Sequence, residues 1–206
     1  MNITLGFSAM YLPILARFVA TPNDARHYLW GIYAEPHPFG GVVLAATDGY
    51  TLVAIHDPEG RATSPQIRPI SSGLLARAAN LIPRWVAYSE TDAYLYDDPD
   101  DWPCPPGSGY GALPVASPDR YPDWRRVLRG LSARGDTGPA TYDSRLLDRL
   151  TGLGPVTLTI TGPDTAALVR CYDYPTMLIA VQPMAVRMTR TGYPEWLRRQ
   201  LDEAPQ

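Results

Sequence analysis

Ser72-Gly-Leu-Leu-Ala-Arg77 and Ser144-Arg-Leu-Leu-Asp-Arg149 stand 72 positions apart, and at that same offset Tyr121-Pro-Asp-Trp124 falls on Tyr193-Pro-Glu-Trp196. Leu81 and Pro83 fall on Leu153 and Pro155. Asp92, Asp101 and Pro103 fall on Asp164, Asp173 and Pro175, and Arg126 falls on Arg198. Thirteen identities over residues 72–126 at one ungapped offset mark a duplication. The period exceeds the roughly 20–50 residues of solenoid repeats, so the duplicated object is a supersecondary unit.

Each copy follows one grammar. A Ser in N-cap position opens an apolar-periodic helix, Ser72 to Ile82 or Ser144 to Leu153. Pro83, or the Gly154-Pro155 pair, ends it. Strands are expected next at Trp85–Ser89, Ala93–Tyr96 and Gly111–Ala116 in the first copy. In the second they are expected at Val156–Thr161, Ala166–Tyr172 and Thr176–Val186. A third, more diverged unit precedes them. Its helix is expected over Ser8–Val19, where Ile14-Leu-Ala-Arg17 echoes Leu74-Leu-Ala-Arg77. Its strands are Tyr28–Ala34, Gly41–Thr47 and Thr51–His56, with Asp48-Gly49 as the hairpin turn between the last two. The expected organisation is a domain over 1–128 made of two units (about 1–66 and 67–128), a linker at 129–140, and a one-unit domain over 141–206.

Composition bounds the function. The 206 residues are 45% apolar and 19% charged, which is globular. No apolar run approaches the roughly 20 residues of a membrane helix, and no basic segment precedes the N-terminal apolar stretch, so a cytoplasmic protein is expected. The net charge of −3 excludes a globally basic coat for nucleic acid, though not a local basic surface. All 18 basic residues are Arg, which removes the P-loop lysine, Schiff-base and Ser–Lys chemistries. Cys104 and Cys171 are too few for a disulfide framework. His27, His37 and His56 have no metal-ligand spacing, and Asp97-Asp98-Pro99-Asp100-Asp101 reads as a solvated turn. No nucleophile elbow, zincin helix or Gly-rich phosphate loop is present, so neither an enzyme nor a cofactor is expected.

Four blocks, in order, carry a family resemblance. Asp24-Ala-Arg-His-Tyr-Leu-Trp-Gly31 resembles the D-x-R-x-x-L-x-G segment of the bacterial β sliding clamps, the processivity factors of replicative DNA polymerase. Val43–Leu52 is similar to their A-T-D-G-H-R-L hairpin, and Tyr121–Leu128 to their F-P-D-Y-R-R-V-L linker. Ile179–Val186 is similar to their closing V-V-M-P-M-R-L strand. The resemblance covers the family's middle domain and the end of its last domain. It implies an α+β DNA-clamp fold of repeated helix-plus-antiparallel-strand units, helices on one face and sheets on the other.

The resemblance also implies sites. A pocket for short partner peptides falls to Leu29, Thr47, Gly49, Tyr50, Thr51, Leu52, Pro122, Val127, Gln182, Pro183 and Met184. Thr51 and Gln182 replace the family's Arg and Met, Ala185 replaces Arg and Tyr50 replaces His, so a less basic pocket is expected. Family helices line the hole and meet DNA phosphates without reading sequence. Here that role falls to Arg17, Arg26, His27, Arg77, Arg145 and Arg149. The implied function is a processivity factor that binds double-stranded DNA non-specifically and docks polymerase or other clamp-motif proteins. A clamp loader and a homo-oligomer belong to the same expectation, and the second Y-P-x-W block is a candidate bridge to a next chain. The alternative is a clamp-fold adaptor or inhibitor that takes clamp-binding peptides without encircling DNA.

Overall fold

The computed structural model describes residues 2–81, 83–98, 109–114, 116–131, 140–160, 162 and 164–184. Cys104, Val115, Ala185, the expected helix end at Ile82, the expected strand ends at Thr161 and Val186, most of the expected linker and the block Tyr193–Trp196 lie outside these residues.

The chain opens with strand β1 (Leu5–Ser8), a 3₁₀ turn (Ala9–Tyr11) and helix α1 (Leu12–Ala16). Strands β2 (Gly31–Pro36), β3 (Val42–Thr47), β4 (Thr51–Asp57), β5 (Arg61–Ala62) and β6 (Gln66–Pro69) follow. Helix α2 (Ser72–Leu81) leads to β7 (Trp85–Tyr88), β8 (Asp92–Tyr96) and β9 (Tyr110–Gly111). Helix α3 (Trp124–Leu131) precedes α4 (Ser144–Leu147), a 3₁₀ turn (Asp148–Leu150), β10 (Val156–Thr159), β11 (Ala167–Cys171) and β12 (Met177–Val181). Thus α2 and α4 are each succeeded by three strands and α1 by five, the last two of them the short β5 and β6.

Among the described residues the strands form two antiparallel sheets. One runs β5-β1-β7-β8-β9 and the other β10-β11-β12-β4-β3-β2-β6. The pairing of β12 with β4, Leu178 opposite Ala54 and Ala180 opposite Leu52, places strands that are far apart in sequence in one seven-stranded sheet.

Local chemistry differs from expectation in several places. The helix expected over Ser8–Val19 is only α1. Leu5 and Phe7 alternate into the core, so residues 5–8 take up a strand paired with β7, and Pro13 sits in the first turn of the helix that follows. The helix starts shift by one residue in both copies. Ser71, not Ser72, accepts from the Leu74 amide at 3.2 Å, and Asp143, not Ser144, caps α4 through the Arg145 amide at 2.9 Å. The second-copy helix tightens into its 3₁₀ turn and stops at Gly152 and Gly154, both with positive φ. β9 is two residues, shorter than the expected Gly111–Ala116, and β12 ends at Val181.

Period-two alternation sets the layers. Val42, Leu44 and Ala46 of β3, Val53 and Ile55 of β4, and Met177, Ile179 and Val181 of β12 enter one core. They meet Leu12, Ile14 and Leu15 of α1, Leu74 of α2, and Phe7, Val86 and Tyr88 of the other sheet, while Leu146, Leu147 and Leu150 cover it in part. Burying each such side chain stabilises by about 1.5–3 kcal/mol. The alternate residues face the other way. Ala45 packs with Leu29, Ile67 and Tyr121, and Leu52 and Ala180 pack with Trp124 and Leu128. Helices α1, α2 and α4 therefore lie on one side of the seven-stranded sheet, and the segment carrying α3 lies on the other.

Arg68 on the edge strand β6 is 3% exposed and ties the sheets together. Its guanidinium donates to Gln66 Oε1, the Glu90 and Ala112 carbonyls and Thr4 Oγ1 at 2.6–3.1 Å. Burial pushes its pKa down. Among the described residues no helix is long and apolar enough to cross a membrane.

Candidate partner groove

The β3–β4 turn is built from its own side chains. Gly49 has φ +90°, which favours glycine. Thr47 Oγ1 donates to the Thr51 carbonyl at 2.6 Å and accepts from the Gly49 amide at 3.0 Å. Asp48 Oδ1 accepts from the Tyr50 and Thr51 amides at 2.9 and 2.8 Å and from Thr51 Oγ1 at 3.0 Å.

Two arginines from distant sequence grip this turn. Arg149 donates to Asp48 Oδ2 and to Thr51 Oγ1, both at 2.6 Å, and its guanidinium lies 6.0 Å from the Phe18 ring on the helix side. Arg26 donates to the Asp48 carbonyl at 2.9 Å. Its Nε and Nη2 also hold Asp24 at 2.9 and 2.6 Å, and Trp30 Nε1 donates to the Asp24 carbonyl. The Arg26 hydrogen bond holds the Asp24 carboxyl down at about 2.

Against this turn stands the segment 116–131. Tyr121 is buried, stacks on Tyr33 with ring centroids 5.0 Å apart and donates to the Ala45 carbonyl at 3.2 Å. Burial pushes its phenol well above the ordinary range. Arg125 stacks on the Trp124 ring and pairs with Glu35 of β2. The third wall is the C-terminal end of β12 with Gln182, whose amide donates to the Tyr50 carbonyl at 2.8 Å; the Met184 amide donates to the Thr141 carbonyl at 2.7 Å.

Between these walls lies a groove of about 210 Å³. Nine residues expected at a partner pocket line it: Leu29, Thr47, Gly49, Tyr50, Thr51, Leu52, Pro122, Val127 and Gln182. Pro183 and Met184 do not; Pro183 is buried and Met184 is 41% exposed. Arg26, Tyr28, Trp124, Ala166 and Ala180 also line it and were not expected there. Trp124 was legible as the aromatic of the Y-P-D-W block, and Ala180 only through the β4 pairing, which no local pattern carries. The groove can take an apolar anchor between Leu52, Val127 and Trp124, with hydroxyl, amide and guanidinium groups on its rim.

The six residues expected to face DNA scatter. Arg77 on α2 is exposed. Arg17 is exposed and donates to the Thr151 carbonyl, and Arg145 pairs with Asp143 at 2.5 Å. His27 is exposed in a 3₁₀ turn. Arg26 lines the groove instead, and Arg149 is turned into its ion pair with only 23% of its side chain exposed. Arg26 brings a guanidinium to the groove wall that carries Thr51.

No protein-family model matches the chain, and no curated protein matches it by sequence. The structure does match: the fold is that of the bacterial sliding clamps. The chain is similar to a DnaN sliding clamp (DNA polymerase III subunit beta) from Bartonella birtlesii, solved bound to griselimycin. That match has a TM-score of 0.62 and 16% identity over 90% of this chain and 68% of that one. The DNA polymerase sliding clamp of Pseudomonas aeruginosa gives 0.62 and 17% over 90% and 67%. The DNA polymerase III beta subunit of Thermotoga maritima gives 0.59 and 12% over 90% and 66%. The chain thus spans about two thirds of the length of these clamps.

Proposed function

We propose that the chain is a sliding-clamp-like processivity factor that docks polymerase or other clamp-motif proteins in the groove and associates non-specifically with double-stranded DNA. One observation carries the reading. Four segments separated in sequence, 26–29, 47–52, 122–127 and 166–182, converge on one apolar groove in a clamp fold. A short peptide with a Leu or aromatic anchor suits such a lining. Griselimycin, the ligand of the Bartonella clamp, is a ready probe. Calorimetric titration is expected to show binding to the wild type and a loss of about tenfold or more, about 1.4 kcal/mol, in Leu52→Glu. Equal affinity in the two proteins would remove the groove from the reading.

A second reading, an adaptor that takes clamp-binding peptides without encircling DNA, draws support from the arginines. Arg149 and Arg145 are ion-paired and Arg26 lines the groove, so the free cationic footprint is small. Retention on nicked circular DNA, lost on linearisation, favours the processivity factor. Peptide binding without such retention favours the adaptor.

A further inference from the structure

The repeat is closed twice and left open once. In the N-terminal unit the outer edge of β2 is taken by β6, which leads into helix α2 of the middle unit. In the middle unit the outer edge of β7 is taken by β1, which leads into α1 of the N-terminal unit. These two units exchange a strand and cover each other. The corresponding strand of the last unit is β10, and among the described residues no strand lies beside its outer edge.

Burial follows the same pattern. At the 72-residue offset Val86 corresponds to Leu158, Tyr88 to Ile160 and Leu74 to Leu146. Val86, Tyr88 and Leu74 are at most 1% exposed, as are Ile32 and Ala34 of β2. Leu158 is 38% exposed, and Ile160 and Leu146 are only partly buried. Leu158 lies opposite the fully buried Val169 and shares a strand face with Val156, which packs on the core. It therefore stands where that core runs out. The backbone is open as well. The Tyr172 amide donates to the Pro155 carbonyl, so Thr157 and Thr159 bond to β11, while Val156 and Leu158 turn their N–H and C=O groups to the free side. Val156–Thr159 carries no charge or proline to blunt such an edge.

The chain itself supplies the template for what covers this place: another repeat unit, by reciprocal exchange. Reciprocal exchange between identical units is a two-fold contact. We propose that two copies of the chain join about a two-fold axis through their last units, each covering the other's β10 edge and the open end of its core. Arg145 at the start of α4 keeps 87% of its side chain exposed beside Asp143, and Asp148 follows the helix. Two copies meeting antiparallel bring each Arg145 toward the other's Asp148. Strands β11 and β12 separate this surface from the β4–β12 groove, and the proposal does not depend on how that groove is read.

Sedimentation velocity on the full chain, run from about 1 to 100 µM, should show monomer passing to dimer. Leu158→Glu sets a charge on the open core. Leu158→Pro removes an outward N–H and no bond to β11. Each should weaken the dimer about tenfold or more while circular dichroism stays native. Leu52→Glu, in the groove, should leave it unchanged. Hydrogen exchange should show the Val156 and Leu158 amides slowing as the dimer fills, and staying fast in Leu158→Glu. The proposal is overturned by a protein that is monomeric throughout that range, or by a dimer that both Leu158 variants retain. A dimer whose two amides exchange as fast as in the monomer overturns it too, because the contact then lies elsewhere. So does slow exchange already present in the monomer, because the edge is then covered within one chain.

Discussion

Two arginines at repeat-equivalent positions have parted ways, and the reason is local. Arg77 sits on a regular α-helix and points to solvent, whereas Arg149 sits in a 3₁₀ turn. Three residues per turn instead of 3.6 change the direction in which a side chain leaves the axis. Arg149 consequently reaches Asp48 and Thr51 and becomes a strut of the hairpin that walls the groove. Arg26 grips the same turn and is itself held by Asp24, whose carboxyl titrates at about 2 against an ordinary 3.8. A carboxyl with its folded pKa below the unfolded one stabilises fully above the ordinary value and loses that contribution as pH falls through the folded value. The Asp24–Arg26 contribution should therefore be intact above about pH 4, fall away toward about pH 2 and be gone only below it. Carboxyl-detected NMR titration is expected to put the Asp24 midpoint near 2 in the wild type. In Arg26→Gln it should return toward 3.8, with Asp143, held near 2 by Arg145, unmoved as the internal control. A wild-type Asp24 that titrates at its ordinary value would mean that the pair does not form in solution.

At the scale of elements, the β3–β4 hairpin was the easiest part to read and is the most constrained. Asp48-Gly49 between two apolar runs signals the turn. The structure adds that Gly49 is both left-handed and crowded, since a Cβ there would run into the Arg26 guanidinium. Gly40 has φ +98° with open space around it. Gly49→Ala should cost about 2–3 kcal/mol in urea unfolding and Gly40→Ala about 1, because only the first adds a displaced ion pair to backbone strain. Equal losses would show that Arg26 yields freely. Other elements were less legible for identifiable reasons. β1 is four residues long and runs straight into a 3₁₀ turn, so its apolar spacing merges with that of α1. β5 and β6 are short edge strands whose Arg61, Gln66 and Arg68 hide any alternation. Within the groove, residues on the hairpin and the Y-P-D-W segment were readable through local motifs. Ala166 and Ala180 were not, because their place follows from strand pairing and not from neighbours in the chain.

At the scale of the molecule, the seam between β4 and β12 decides how the parts respond to one another. The strands flanking it are buried on the helix side by one continuous core that includes Val53, Ile55, Ile179 and Val181, all at most 1% exposed. A sheet that crosses from the early to the late part of the chain, over a shared core, leaves no weak plane along which either part can unfold first. Ile179 pairs with Val53 on one side and Val169 on the other, so it tests this directly. Ile179→Ala removes buried methylenes from that core and should lower the unfolding free energy by about 2–5 kcal/mol. The loss should appear as a shift of one transition seen alike by far-UV circular dichroism and by tryptophan emission, even though Trp85 lies in the other sheet. If instead the dichroism and emission curves separate in the variant, with a late-chain phase melting ahead of the rest, the seam is a hinge between independent bodies. The groove built across it would then open and close with that hinge.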